Sequence, residues 1–225
     1  MKNNWIITIA LVLAASCSAD YGDYKGADYD ALPSEYRADV VVTIKQDTDG
    51  TVFFQAGRER LYPGDNYPFS GQCRAMGSVT VYAEEVPLYG HRVDVNWMEP
   101  LDKGSFKLYP GTATGEDGID VLASSWITSV EDGYLTIHYK TWWGESAAHH
   151  DFVLVQEEDP YELTIHHSAN GDGKDIYSEG IVYFDINQLP PARPSVGVAP
   201  QRVKINWKTT DGKPASAEFD FETRT

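Results

Sequence analysis

Gly133-Tyr134-Leu135-Thr136-Ile137-His138-Tyr139-Lys140-Thr141 decides the fold, because its apolar residues recur at every second position. Leu135, Ile137 and Tyr139 fall on one face, a period that belongs to a half-buried strand and not to a helix. The same alternation returns downstream. Phe152 and Leu154 share a face, as do Leu163 and Ile165, then Val182, Phe184 and Ile186, then Val203, Ile205 and Trp207, then Phe219 and Phe221. Upstream, Asp39-Val40-Val41-Val42-Thr43-Ile44 is a β-branched run that leads into Asp47-Thr48-Asp49-Gly50, whose Asp-Gly pair signals a hairpin. Val79, Val81 and Ala83 alternate with Thr80, Tyr82 and Glu84, and Val93, Val95 and Trp97 are expected on one side of the next strand. No segment sustains a helical period, so the chain is all-β.

The breaker-rich run Pro110 to Gly118 places a domain boundary. Two all-β domains are expected, a smaller one over 38–113 and a β-sandwich over 114–225. Asn187 to Pro200 holds four prolines and reads as a long crossover.

The N-terminus carries a different signal. Lys2 precedes an apolar run from Trp5 to Ala15, and small residues lead to Cys17. This arrangement is that of a secretory signal peptide, too short for a permanent span, which needs about 20 residues. The cysteine after the small residues makes it resemble a bacterial lipoprotein signal. That resemblance implies removal of residues 1–16, acylation of Cys17 and attachment through acyl chains, each buried CH2 adding about 0.8 kcal/mol. The expected location is the cell envelope, as an outer-membrane lipoprotein whose leaflet and side stay open. Residues 17–37, rich in Asp, Tyr, Gly and Ala, read as an acylated flexible tether with a reach of roughly 25 Å.

The full chain of 225 residues has 18 Lys+Arg against 34 Asp+Glu, a formal charge of -16. Such a body repels phosphate backbones, so nucleic acid is excluded as a partner. The partners expected are a membrane through the lipid and an unidentified protein or glycan; oligomeric state is left open. With Cys17 assigned to lipid, Cys73 stands alone and reads as a small buried hydrophobe in preference to a reactive thiol.

The order of several motifs resembles a known family. Gly133-Tyr134-Leu135-Thr136-Ile137 is followed by His150-Asp151-Phe152-Val153-Leu154-Val155, then Leu163-Thr164-Ile165-His166-His167-Ser168-Ala169-Asn170-Gly171-Asp172, then Val182-Tyr183-Phe184-Asp185-Ile186. Before them stand Gly71-Gln72-Cys73-Arg74-Ala75 and Asn96-Trp97-Met98-Glu99-Pro100-Leu101-Asp102-Lys103. Together these resemble the NigD-like lipoproteins of Bacteroidota. The resemblance implies an N-terminal OB-type barrel, a C-terminal β-sandwich and a bacteriocin-immunity role proposed by gene association. His166 departs from the arginine more usual there.

Few constellations carry chemistry. No Gly-x-Ser-x-Gly, His-Glu-x-x-His or phosphate-cradling glycine loop occurs, so no enzyme activity and no cofactor are expected. His138, His149, His150, His166 and His167 cluster in the second domain. Alternation sends the members of each adjacent pair to opposite faces, which leaves His138, His150 and His167 as the candidate metal set. Asn170-Gly171-Asp172-Gly173-Lys174-Asp175 imitates a calcium loop, but Lys174 occupies an oxygen-ligand position and the segment reads as a turn. Trp142 and Trp143 end a strand, one ring facing outward, and are the candidate binding residues. The expected function is a non-enzymatic binding module. The alternative is a metal- or glycan-binding accessory protein using the histidines or the exposed aromatics.

Overall fold

The computed structural model describes residues 35–64, 71–86, 90–144, 148–192, 197 and 199–224. The signal segment 1–16 with Cys17, and the tether as far as residue 34, lie outside the described residues. Glu35 to Arg37, expected in the tether, already belong to the first strand.

Chain contacts divide the molecule at Leu101/Asp102 into two compact units. The first is a closed barrel in the order β1-β2-β3-β5-β4, a five-stranded barrel of the OB type. Its strands are β1 (Glu35–Gln46), β2 (Val52–Ala56), β3 (Glu59–Pro63), β4 (Cys73–Val86) and β5 (Gly90–Pro100). The Asp-Gly hairpin forms as expected: Gln46 pairs with Val52, and Gly50 takes the left-handed conformation at φ 91°. Parallel pairing of β3 with β5 closes the cylinder. Val42, Ile44, Phe54, Leu61, Ala75, Val79, Val81 and Val93 fill its core.

One alternation does not hold through. Val93 is buried and Val95 packs against the core, but Trp97 is 42% exposed. A bulge is the reason. Val79 pairs with Val95 and Ser78 with Trp97, so Asn96 is the extra residue, the faces exchange and Met98 turns inward instead.

The second unit is a sandwich of two five-stranded sheets. One runs β6 (Asp102–Lys103), β13 (Ile176–Asp185), β10 (Tyr134–Trp143), β8 (Asp120–Val121), with β9 (Ser129–Glu131) also on β10. The other runs β15 (Pro214–Phe221), β14 (Gln201–Lys208), β12 (Glu162–Ser168), β11 (Asp151–Gln156), β7 (Ser105–Lys107). Leu135, Ile137, Phe152, Leu154, Leu163, Ile165, Val182, Phe184, Val203 and Ile205 meet between them. These are the residues whose alternation marked the strands.

Asp132 and Gly133, with φ of 51° and 70°, form the two-residue turn from β9 to β10. Positive φ at both positions suits the twist of a tight hairpin. Gly180 faces Tyr139 across β10 and β13, and a Cβ there would run into the Tyr139 ring.

The division falls twelve residues before the boundary expected from the breaker run. The reason is β6 and β7. Each adds in parallel to a sandwich edge, β6 on β13 and β7 on β11, and Phe106 packs against the sandwich core. The breaker run is thus a loop following β7. Residues 102–225 should therefore fold alone with a cooperative melt, whereas 114–225 loses two edge strands and Phe106. At about 3 kcal/mol for that loss and roughly 3–4 °C per kcal/mol, calorimetry should find the shorter fragment melting about 10 °C lower. Equal melting would show that the two strands add nothing.

Candidate functional site

The members of each adjacent histidine pair take opposite faces, as expected: His150 and His167 are buried, His149 is exposed and His166 half-buried. The His150 side chain is 1% exposed and so is that of Asp172; His167 is 2% exposed. The three form a chain. His150 Nε2 lies 3.3 Å from Asp172 Oδ2, and His167 Nε2 lies 3.0 Å from His150 Nδ1.

The carboxylate fixes the proton arrangement. Asp172 can only accept, so His150 donates from Nε2 and its Nδ1 is left to accept. His167 then donates from Nε2, and its Nδ1 is bare, buried and without a hydrogen-bond partner. A neutral His167 is the form this arrangement holds. Burial pushes its pKa down to about 4, and the neighbouring His150 pushes in the same direction.

Aromatic rings enclose the pair. Trp143 stacks on His150 at 4.2 Å between centroids and 10° between planes, and Phe152 stacks on His167 at 4.7 Å and 19°. Loops are fastened to the same point. Asp172 Oδ2 also accepts from Gly144 N at 2.7 Å, and Asp175 N donates to Trp143 O. Asp117 N donates to His167 O, and Ala169 N donates to Asp117 Oδ2. The segment that imitates a calcium loop is a turn, with Asn170 and Gly171 at positive φ. The Asp172 carboxylate accepts from His150 within the fold.

The candidate metal set does not assemble. His150 and His167 meet, but they spend their facing nitrogens on each other. His138 lies on the outer face of β10, its Nδ1 2.8 Å from Ser125 Oγ and its Nε2 3.1 Å from Glu179 Oε2. The triad of histidines is therefore corrected to two histidines and an aspartate. Among the described residues no group of three or more His, Cys, Asp or Glu side chains is placed to hold a metal ion.

The tryptophans separate as strand geometry requires. Trp143 packs inward against the core. Trp142 is 38% exposed and lies 5.2 Å from the Tyr177 ring, its partner across β13. Tyr177 donates to Asp120, which also accepts from Thr210 N and Oγ1. Partial burial raises the Asp120 pKa, but the bonds from Thr210 and Tyr177 outweigh it and hold the carboxyl below its usual range.

Other features are less apt for chemistry. Cys73 is half-buried, and burial pushes its thiol pKa up, which disfavours the reactive thiolate. In an acidic cleft at Glu157, Glu158, Asp159 and Glu162, three carboxylates are engaged: Glu157 accepts from Thr164, Asp159 from Tyr161 N, and Glu162 from Lys204 and Asn206.

Sequence reasoning singled out His150, His167, Trp142 and Trp143 and missed Asp172, Asp120 and Tyr177 as their partners. Asp172 stood inside a quoted motif but was read only as a turn residue. Nothing local pairs Tyr177 with Asp120, 57 positions away.

Residues 107–221 match the family model described as the NigD-like C-terminal beta sandwich domain. Solved structures share the fold. A NigD-like immunity protein from Bacteroides caccae is 16% identical, with 81% of this chain and 96% of that one aligned at a TM-score of 0.56. A candidate toxin-related protein from Parabacteroides distasonis is 21% identical, covering 82% and 94% at 0.64. A candidate lipoprotein from Bacteroides fragilis is 13% identical, covering 84% and 99% at 0.59. A search of curated proteins returned no match.

His167 makes stability pH-dependent. With a native pKa near 4 against 6.5 in the unfolded chain, the unfolded state binds more protons between those values. The contribution of His167 is complete above pH 6.5 and is lost as pH falls toward 4. It amounts to about 3 kcal/mol. Thermal melts across pH 4–7 should show this slope, and His167→Gln should flatten it while lowering the pH 7 melting temperature. An unchanged slope would assign the acid sensitivity to other groups.

Proposed function

Since this chain belongs to the family marked by the NigD-like C-terminal beta sandwich domain, we propose that it is a non-enzymatic binding module held at the cell envelope by lipid on Cys17. One observation carries the non-enzymatic part. Among the described residues, the ring nitrogens of the two buried sandwich histidines are hydrogen-bonded to Asp172 and to each other, and the side chains of His150 and Asp172 are shut from water. A general base must reach the proton it abstracts. His150 and His167 reach only Asp172 and each other. Their role is to fix loops on a rigid frame, the property a recognition surface needs.

The signal segment and the relative described as a candidate lipoprotein support the location. The acidic body, with its charge of -16, supports a partner other than nucleic acid. The relative described as an immunity protein supports one form of binding, capture of a toxin-like protein. Deleting the gene should then sensitise the cell to that toxin.

The anchor is tested directly. Cys17→Ala should abolish incorporation of labelled palmitate and move the protein from the membrane fraction, either to the soluble fraction or to a larger uncleaved precursor. Equal labelling of wild type and variant would overturn the lipid assignment.

A further inference from the structure

On the outer face of the sheet formed by β13, β10 and β8, exposed rings and fixed polar groups meet. We propose that this face, at Trp142, Tyr177, Asp120, Lys140 and Glu179, is a binding platform for neutral carbohydrate. The proposal deepens the binding-module reading and rests on it.

Register puts the residues together. His138, Lys140 and Trp142 point out from β10; Ile181, Glu179 and Tyr177 stand opposite them on β13; Asp120 pairs with Lys140 from β8. Trp142 and Tyr177 keep 38% and 42% of their surface in water with their planes tilted by 48°. The C–H faces of a pyranose carry slight positive charge and suit the electron-rich faces of such rings.

The polar neighbours are held in place yet keep capacity. Glu179 accepts from Lys140 through Oε1 at 3.0 Å and from His138 through Oε2 at 3.1 Å, and its side chain is 53% exposed. A carboxylate has about four lone-pair sites, so two remain for sugar hydroxyls. Asp120 uses three of its four on Thr210 and Tyr177. Trp142 lies about 7 Å along the strand from Lys140, and three strands span about 10 Å. That is the footprint of one or two hexose rings.

Charge selects the class. Asp120 and Glu179 against Lys140 leave the platform slightly negative on a chain of charge -16, which disfavours sulfated, phosphorylated or uronic polymers. A cationic ligand would have to break the Lys140–Glu179 pair. A stable protein interface needs about 800 Å² on each side, much more than two rings provide.

The test uses the full-length chain in a polyoxyethylene detergent, which carries no sugar to compete. It is applied to arrayed neutral oligosaccharides (α- and β-glucans, mannan, xylan, galactan) with polygalacturonate and heparin as anionic controls. At least one neutral class should bind. Trp142→Ala should weaken it at least tenfold and Tyr177→Phe, which keeps the ring but frees Asp120, a few-fold. Trp126→Ala, at a tryptophan 53% exposed on the loop between β8 and β9, should leave binding unchanged. All three variants should melt with the wild type. A blank neutral panel, binding unaffected by Trp142→Ala, or binding to the anionic polymers alone would overturn the inference. A blank panel with Trp142-dependent self-association or capture of an envelope protein would overturn carbohydrate while leaving the binding-module reading standing.

Discussion

Ten residues of β10 pair with ten of β13 without a break, from Tyr134 opposite Asp185 to Trp143 opposite Ile176, and the sandwich depends on that register. It puts Leu135, Ile137 and Tyr139 against Phe184, Val182 and Gly180 on the inner face. It puts Lys140 and Trp142 against Glu179 and Tyr177 on the outer one. Side chains alternate strictly, so a slip of one residue would exchange the two sets. Leu135, Ile137 and Phe184 would lose burial together, at about 1.5–3 kcal/mol each. Gly180 adds a second lock, because only a residue without Cβ leaves room for the Tyr139 ring. A ring this deeply buried also has its phenol pKa pushed up, so it stays neutral through the physiological range.

The histidine network solves a problem created by this packing. Backbone groups beside these buried rings would be costly if left unpaired. The Asp172 carboxylate answers Gly144 N and His150 together. Buried polar groups are tolerable when each finds a partner, and a partly satisfied chain is expensive. Here the chain ends at His167 Nδ1, an acceptor left bare. A bare acceptor costs less than an orphaned charge, which is why burial selects the neutral ring. The network secures geometry at the price of acid tolerance.

The strands were legible because a two-residue period depends only on neighbours in sequence. Leu135, Ile137, Phe152, Val182 and Ile205 were placed on buried faces from alternation alone, and the order of motifs gave the barrel and the sandwich. What failed was non-local. The bulge at Asn96 exchanges the faces of Trp97 and Met98 through its pairing with β4, which the β5 sequence does not record. Strands β6 and β7, of two and three residues, are too short to show any period, and they became strands by adding to edges of the sandwich. The breaker run therefore follows the boundary and does not mark it. Alternation separates the members of each adjacent histidine pair, and the same rule on β10 turns His138 to the outer face, away from His150 and His167.

Trp142 and Trp143 bring the two halves of the structure to adjacent positions. On a helix, neighbouring rings would diverge by about 100° and both could share a partly buried surface. On a strand they point to opposite faces, so one residue step separates two environments. Trp143 lies flat on His150 and shields the network from water. Trp142 stands outside beside Tyr177. Gly144 follows because the chain must there approach Asp172 closely, where a Cβ would meet the carboxylate and the backbone of Gly173. The hydrogen bond from Gly144 to Asp172 therefore ties the end of β10 to the buried network, two residues after the exposed ring. Inner network and outer platform thus meet at one strand end, which the Gly144–Asp172 bond ties to the network and the pairing of Trp143 with Ile176 ties to the sheet.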